Sequence, residues 1–288
     1  MRRVGAVMLT ILVRSFQNRI MEQMIQKEIQ VNGSWIQVDV YGALDGPAIV
    51  VIPGVMADAA AWGPVAQHLE GWPTIAVVNR RGRAPSGPLT STYTLETEIE
   101  DATAVLRSFS HVQAVLGWSY GGLIALHLAD RVPVAHLIAY EPIMAPFGAP
   151  ALPDLKAADD AQDLDRVVEV ALRQVAAMPS EVVEALRSDS GVWSGLRELS
   201  APLYQETLAI NQAPLPTVLA RRADRIDLVV GERKPGSGAL RHDLRRHRPS
   251  RPSRHGARTG RAGPPGPSRG PGPPRRAGEP AEGAPADG

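Results

Sequence analysis

The sequence contains no cysteine among its 288 residues. A disulfide framework, a zinc site built on thiolates and a cysteine nucleophile are therefore excluded. Nothing in the composition points to an oxidising compartment, so we expect a cytoplasmic protein. The hydrophobic content of 44% is enough for a substantial core in a chain of this length.

Long apolar runs are also lacking. The run from Val4 to Val13 spans about ten residues, which is too short to cross a bilayer. The stretch from Ser15 to Arg19 follows it without the small residues of a signal-peptide cleavage site. We therefore expect residues 1–24 to form an N-terminal extension that neither directs export nor enters a membrane.

Neither sign of charge dominates the chain, whose net charge is +1, but its two parts differ. Residues 1–232 hold 18 Lys and Arg against 26 Asp and Glu, whereas residues 233–288 hold 13 against 4. Binding to nucleic acid or to an acidic membrane would depend on this basic tail alone. The tail has a single lysine and no aromatic residue, so we expect neither partner.

Motifs for metal ions and nucleotides are lacking as well, so no metal and no cofactor is expected. The pair Arg80-Arg81 is the nearest approach to a phosphate clamp. We predict that it is a solvated loop instead.

Strand-like and helix-like segments alternate along the chain. Two short segments at 27–31 and 34–41, joined by Asn32-Gly33, predict an antiparallel hairpin of edge strands. Continuous apolar runs predict strands buried on both faces, and apolar residues at helical spacing predict helices. Such runs predict strands at 48–52 and 74–78; further strands are expected at 112–116 and 135–140, one more buried strand at 226–230, and helices at 59–69, 95–108 and 121–129. The alternation predicts an α/β fold with a mostly parallel, doubly wound sheet.

Strand patterns stop between Pro142 and Pro216, where helices are predicted at 164–177 and 180–186, the second with Ser180 as its N-cap. We interpret residues 142–216 as a helical lid on a core formed by 25–141 and 217–234. From residue 235 to 288 Arg, Pro, Gly and Ala dominate, so this tail is expected to be disordered.

One short motif carries chemistry. Residues Gly117 to Gly122 read GWSYGG and lie between a predicted strand and a predicted helix, the setting of a nucleophile elbow. A serine hydroxyl becomes a good nucleophile when a base takes its proton and the fold holds its oxygen exposed. Ser119 is therefore the candidate nucleophile.

Two further segments accompany the elbow in chain order, Ile52 to Val55 followed by Trp62, and Asn79 to Ser86. With these three motifs the chain resembles the α/β-hydrolase family, in its lidded serine esterase and haloperoxidase-like branch, over about residues 30–234. The resemblance implies an oxyanion hole formed by the backbone N–H groups of Tyr120 and Val55.

The resemblance has departures. Pro53 stands where the family has His, Asn79 stands where it has Asp, and Arg83-Ala84 alter the loop that follows. The first two changes are expected to remove side chains that brace the loops around the active site, without removing the chemistry.

The acid and the base of a catalytic triad are harder to place. By the resemblance, Glu141 is the favoured acid. Glu232 is the alternative, since it lies near Lys234, which occupies the usual position of Asp, and a purely structural role for both glutamates stays open. The family's histidine follows the last strand in a Gly-x-Gly-His loop, a setting that none of the seven histidines has. Four are expected at exposed or core-edge positions, namely His68, His111, His127 and His136, and three fall in the tail, namely His242, His247 and His255.

The last strand, the histidine loop and the closing helix of the family are not evident after Lys234. We hypothesise that the tail is an out-of-frame translation of GC-rich DNA that once encoded them. Translating the other two reading frames beyond codon 234 tests this, because finding neither a strand nor Gly-x-Gly-His would contradict it.

The sequence predicts a serine-type hydrolase of a small, mainly apolar ester or related acyl substrate. The alternative is a non-catalytic or inactivated protein on the same fold that lacks the catalytic histidine. Perhydrolysis by the same residues stays open, whereas a dehalogenase would need Asp at the elbow. Specificity is expected to lie in the lid and in five pocket candidates, namely Met56, Trp62, Tyr120, Met144 and Phe147.

Overall fold

The structure is a computed structural model and describes residues 24–214 and 218–231. The strands in this part of the chain are β1 Met24–Val31, β2 Ser34–Gly42, β3 Ala48–Ile52, β4 Thr74–Asn79, β5 Val112–Trp118, β6 Val134–Tyr140 and β7 Ala223–Val229. The α-helices are α1 Ala59–Ala66, α2 Leu95–Arg107, α3 Tyr120–Arg131, α4 Leu152–Asp160, α5 Leu164–Val170, α6 Ser180–Ser188, α7 Ser190–Ser200 and α8 Leu203–Gln212. None of the helices described is both long enough and apolar enough to cross a membrane.

The described strands form one sheet in the order β1-β2-β4-β3-β5-β6-β7. Strands β3 to β7 pair in parallel, while β1 pairs with β2 and β2 with β4 in antiparallel fashion. The predicted α/β fold with a mostly parallel sheet is confirmed. The expectation that both hairpin strands are edge strands is wrong for β2, because β4 pairs along its other side.

Helices cover both faces of the sheet, as alternation along β3 shows. Val50 and Ile52 pack into a cluster with residues of α2 and α3, whereas Ile49 and Val51 pack into a second cluster with residues of α1. Successive strand residues point to opposite faces, so a strand buried on both faces consists of one continuous apolar run. This is why β3 occupies the predicted range without a shift.

The predicted helical region between β6 and β7 is present, and we call residues 149–212 the helical insert. It has small cores of its own, one around Leu155 and one around Val168 and Trp193. The predicted helix at 164–177 is α5 followed by one π-helical turn, Ala171–Val175. Whether the insert acts as a lid stays a prediction.

Two local expectations are wrong. Ser180 is the first residue of α6 rather than its N-cap, and its hydroxyl accepts a hydrogen bond from Arg173 instead of capping the helix. Strand β7 was expected to be buried, but Leu228 and Val229 are 38% and 43% exposed. Among the described strands β7 pairs with β6 alone, so it lies at the end of the part of the sheet that the structure describes.

Several predicted features lie outside the described residues. They are the extension before Met24, residues 215–217, Glu232, Lys234 and the whole tail with its three histidines. The predictions made for them stand as predictions.

Candidate active site

The candidate residues follow parallel strands of the sheet. Gly54 comes shortly after β3, Arg80 directly after β4, Ser119 after β5 and Glu141 after β6. Parallel strands end at one edge of a sheet, and ligands of open α/β sheets bind at the edge where the carboxyl ends meet. The fold therefore brings residues far apart in the sequence to one edge, with Ser119 at the end of β5, the strand that β3 and β6 flank.

Ser119 occupies a strained turn between β5 and α3. Its φ and ψ are 54° and −117°, a region that side-chain-bearing residues rarely adopt. The Ser119 N–H donates to the Tyr140 carbonyl at 3.0 Å, and the Ser119 carbonyl accepts from the N–H groups of Gly122 and Ile143. The side chain is half-buried and stands at the N-terminus of a twelve-residue helix. These are the features of a nucleophile elbow.

The glycines around Ser119 are required by close backbone packing. A Cβ on Gly117 would overlap the carbonyl oxygen of Gly121, and a Cβ on Gly121 would overlap that of Ile52. A Cβ on Gly54 would lie 2.9 Å from the Cβ of Ser119. The loop after β3 therefore lies directly against the elbow, which only residues without side chains permit.

The two candidate oxyanion-hole residues flank the elbow. Tyr120 is the first residue of α3, where backbone N–H groups have no partner within the helix. Val55 follows Gly54 in the turn before α1 and is half-buried. It packs against the main core, which is the cluster around Val50 and Ile52, and against the insert core around Leu155. The positive end of the α3 dipole adds to the attraction that such N–H groups exert on a negative oxygen.

Glu141 is buried, with a positive φ of 45°. Its N–H donates to the Val229 carbonyl at 2.8 Å, and its Oε1 accepts from the Gly231 N–H at 3.2 Å. The carboxylate therefore lies where β6 and β7 end, one residue beyond the carbonyl of Tyr140 that holds Ser119. The alternative acid, Glu232, directly follows Gly231 but is outside the described residues.

The four described histidines lie away from the elbow, as expected. His68 and His111 are exposed, and His136 is half-buried and bonded through Nε2 to Asp227 at 2.8 Å. Burial lowers the pKa of His127, whose Nε2 has no hydrogen-bond partner among the described residues. No hydrogen bond joins any of these four to Ser119.

The pocket candidates separate into core and loop residues. Trp62 packs under the sheet against Trp118, with ring centroids 6.0 Å apart, and Tyr120 is fully buried. Met144 and Phe147, after β6, are partly buried against the main core, and Met56 against the insert core. Apolar side chains thus flank the candidate site. Among residues 24–214 and 218–231, no three His, Asp or Glu side chains form a group that could hold a metal ion.

The arginines after β4 are not solvated, and this prediction is wrong. Arg80, Arg81 and Arg83 are each at most 2% exposed. Buried carboxylates explain this, because Glu98 and Asp101 lie on the inner, buried face of α2. The acids that share the apolar face of α2 were the one sign in the sequence that buried carboxylates could pair with these arginines.

The buried charges form paired contacts. Arg83 donates to both carboxylate oxygens of Glu206 in α8, at 2.7 and 2.6 Å, and Arg80 Nη1 lies 2.8 Å from Glu98 and 2.6 Å from Glu206. Burial alone would raise the pKa of Glu206, but the guanidinium groups of Arg80 and Arg83 hold it below its usual value. The carboxylate therefore stays ionised between them.

Arg81 belongs to a separate pair in the same loop. Its Nε and Nη2 each lie 2.6 Å from an oxygen of Asp101. Burial raises the pKa of Asp101 to about 6, against the opposing influence of Arg81.

Arg80 also braces the loop after β3. Its Nε donates to the Pro53 carbonyl at 3.0 Å and its Nη2 to the Gly54 carbonyl at 2.7 Å. Asn79 Oδ1 accepts from the N–H of Ala59 at 2.8 Å. Arg80 and Asn79 therefore brace the loop after β3 and the start of α1 in a chain that has Pro53 and Asn79 in place of the family's His and Asp.

Solved structures of other proteins share this fold. The solved α/β hydrolase of Sphaerobacter thermophilus DSM 20745 is 23% identical with a TM-score of 0.56, over 77% of this chain and 86% of that one. The enol-lactonase of Burkholderia xenovorans LB400 is 16% identical with a TM-score of 0.54, over 76% of this chain and 96% of that one. At such identities the likeness shows a common fold alone.

Comparison of the sequence with known sequences identifies the family. The uncharacterized hydrolase YraK of Bacillus subtilis (strain 168) is 36% identical over 121 residues, which are 40% of this chain and 44% of YraK. The match thus spans less than half the length of that curated relative. The model of the alpha/beta hydrolase family matches residues 49–270. Because this match includes the loop after β3, the elbow and the insert, the chain belongs to the alpha/beta hydrolase family.

Proposed function

We propose that the protein is a serine-type hydrolase that cleaves a small, mainly apolar ester or related acyl substrate. The observation that carries the proposal is the position of Ser119, held at a φ of 54° at the N-terminus of α3. Membership of the family and the match to a hydrolase of Bacillus subtilis support hydrolysis. The partly buried apolar side chains of Met56, Met144 and Phe147 support an apolar acyl group.

In the proposed reaction, Ser119 Oγ attacks the substrate carbonyl while a base removes its proton. The N–H groups of Tyr120 and Val55 stabilise the negative oxygen that forms, a contribution of several kcal/mol in a site that excludes water. The base then returns its proton to the leaving alcohol. Water, deprotonated by the same base, releases the acid and restores Ser119.

The base is proposed to be a histidine oriented by Glu141. Glu141 is supported by its burial beside the elbow, at the point where β6 and β7 end. The described histidines do not contact Ser119, and none of the seven histidines of the sequence stands in a Gly-x-Gly-His loop, so no histidine is assigned as the base. If the chain lacks this base, turnover should be lower by several orders of magnitude than with a complete triad.

A fluorophosphonate probe tests the nucleophile, because it reacts only with an activated serine. We expect one probe per chain on the purified protein, measured by intact mass, and none on Ser119→Ala. Ser188→Ala, at the end of α6, should label like the wild type. A folded wild type that does not label would contradict the proposal and support the non-catalytic alternative. Labelling of Ser119→Ala would reassign the nucleophile.

The acyl preference is tested with p-nitrophenyl esters of acetate, butyrate and octanoate. Replacing Phe147 by Ala should raise KM for the longer esters more than for the acetate, since apolar contact is lost. An equal effect on all three would contradict an acyl-binding role for Phe147.

A further inference from the structure

Arg80 is the point at which the loop after β3, helix α2 and the helical insert meet. Its guanidinium group contacts the carbonyl oxygens of Pro53 and Gly54 and the carboxylates of Glu98 and Glu206. The side chain is 1% exposed, and each of its three nitrogens has a partner. Such a contact set leaves the guanidinium no freedom to rotate.

The contact with Gly54 bears on the candidate oxyanion hole. The Gly54 carbonyl and the Val55 N–H belong to one peptide unit, and in a trans peptide these two groups point in opposite directions. Arg80 Nη2 holds the carbonyl at 2.7 Å, so the N–H of Val55 is directed away from Arg80. Gly54 itself lies against Ser119, since a Cβ on it would be 2.9 Å from the Ser119 Cβ.

Arg80 also contacts the residue that carries the other donor. Its guanidinium carbon lies 4.9 Å from the centre of the Tyr120 ring. The Tyr120 hydroxyl is 3.2 Å from that of Tyr93, which in turn donates to Glu98 at 2.7 Å. The side chain of Tyr120, the residue of the second candidate N–H donor, is therefore held by Arg80 and, through Tyr93, by Glu98.

We propose that Arg80 is a positioning residue that sets the orientation of the Gly54–Val55 peptide, and with it the oxyanion hole, through its bonds to the Pro53 and Gly54 carbonyls. This inference rests on the proposed function for its effect on turnover. A charged donor also polarises the peptide, which makes the Val55 N–H a stronger donor. Lysine cannot replace Arg80, because one ammonium group cannot reach two carbonyls and two carboxylates in these directions.

The first test is independent of catalysis and uses the amide ¹⁵N resonance of Val55 in the full chain. Arg80→Lys should shift this resonance, because the charged bond to the Gly54 carbonyl is lost. Arg81→Lys is the matched control, since Arg81 is equally buried and paired but has no bond to the loop after β3. The control should leave the Val55 resonance in place. An unchanged Val55 resonance in folded Arg80→Lys would overturn the proposal.

The second test separates kcat from KM on the ester that the wild type hydrolyses best. A weakened oxyanion hole should lower kcat by about 10- to 100-fold with KM changed less than about twofold. Arg81→Lys should retain kcat within about twofold. Loss of kcat to the same extent in both variants would assign Arg80 a merely structural role and overturn the proposal.

A double exchange, Arg80→Met with Glu98→Leu, is measured in case Arg80→Lys fails to fold. It removes one charge of each sign and leaves Arg83 paired with Glu206, so no buried charge is left alone. It should show the same Val55 shift and the same fall in kcat, and a wild-type value of either would overturn the proposal. A wild type without turnover would refute the proposed function, and the Val55 resonance would still decide the positioning role.

Discussion

Arg83, in the loop after β4, and Glu206, in helix α8, form a two-pronged ion pair across 123 residues of sequence. Both side chains are at most 1% exposed. The pair joins the helical insert to the loop after β4, and Arg80 also contacts the Glu206 carboxylate. Since no water can replace a lost partner there, the pair makes the attachment of the insert depend on charge balance.

Glu206→Gln is expected to lower the free energy of unfolding by about 3–5 kcal/mol, because it leaves two buried guanidinium groups with one carboxylate, that of Glu98. Urea denaturation followed by circular dichroism measures this. The control is Arg83→Met with Glu206→Leu, which removes one charge of each sign and should cost less than the single exchange. A cost of Glu206→Gln below about 1 kcal/mol would contradict this account.

The same carboxylate should make the protein sensitive to acid. The pKa of Glu206 lies below its ordinary value of 4.5, since Arg80 and Arg83 outweigh its burial. The unfolded state therefore binds the proton first, so the stability that Glu206 contributes is present above pH 4.5 and is lost as pH falls through the lowered pKa. Unfolding free energies from pH 6 to pH 3 should fall less steeply for Glu206→Gln than for the wild type.

Ser119→Gly should stabilise the protein while abolishing its reaction with a fluorophosphonate. The φ of 54° is strained for serine and relaxed for glycine, and the relief exceeds the added freedom of the unfolded chain. We expect a gain of about 1 kcal/mol by denaturation. Ser108→Gly, at a φ of −80°, should give no gain. A loss of stability in Ser119→Gly would show that the serine is not strained.

Gly121→Ala is expected to destabilise the protein by more than about 3 kcal/mol or to prevent folding, because its Cβ would overlap the carbonyl oxygen of Ile52. Gly195→Ala is the matched control, since nothing lies within 4 Å of the added methyl group in α7. The control should raise stability by up to about 1 kcal/mol, as alanine favours helix. Thermal unfolding of both variants provides the comparison, and a tolerated Gly121→Ala would contradict the close packing.

Glu141→Gln should lower kcat by about 10³- to 10⁴-fold if Glu141 orients the base, with little change in KM. Glu232→Gln tests the alternative acid under the same conditions. Retention of kcat in Glu141→Gln together with its loss in Glu232→Gln would assign the acid to Glu232.

The sheet could be predicted from the sequence because the relevant information is local. Strand β3 is apolar at every position, and the elbow carries its glycines within six residues. The exposure of β7 could not be predicted in the same way, since the residues at 226–230 do not reveal how many strands pair with it. Exposure of Leu228 follows from the position of β7 in the sheet, which is a property of topology.

The arginine loop could not be predicted either, for a different reason. Arg83 has the sequence surroundings of a solvated turn, and the carboxylate that permits its burial is supplied from α8. The sequence pattern places Glu98 on the inner face of α2. That Glu98 pairs with Arg80 depends on where the folded sheet positions the end of β4. Whether such arginines are buried depends on carboxylates from helices distant in the sequence, which the neighbouring residues do not reveal.

The contact between the hydroxyl groups of Tyr93 and Tyr120 provides an optical marker. Burial and the nearby charge of Glu98 raise the pKa of both phenols above the ordinary value of 10. In an alkaline titration followed by the ultraviolet absorbance of tyrosinate, Tyr93 and Tyr120 should therefore ionise only above pH 10. Their absorbance step would therefore report when water reaches the buried Tyr93–Tyr120 pair next to Ser119, without any label attached to the protein.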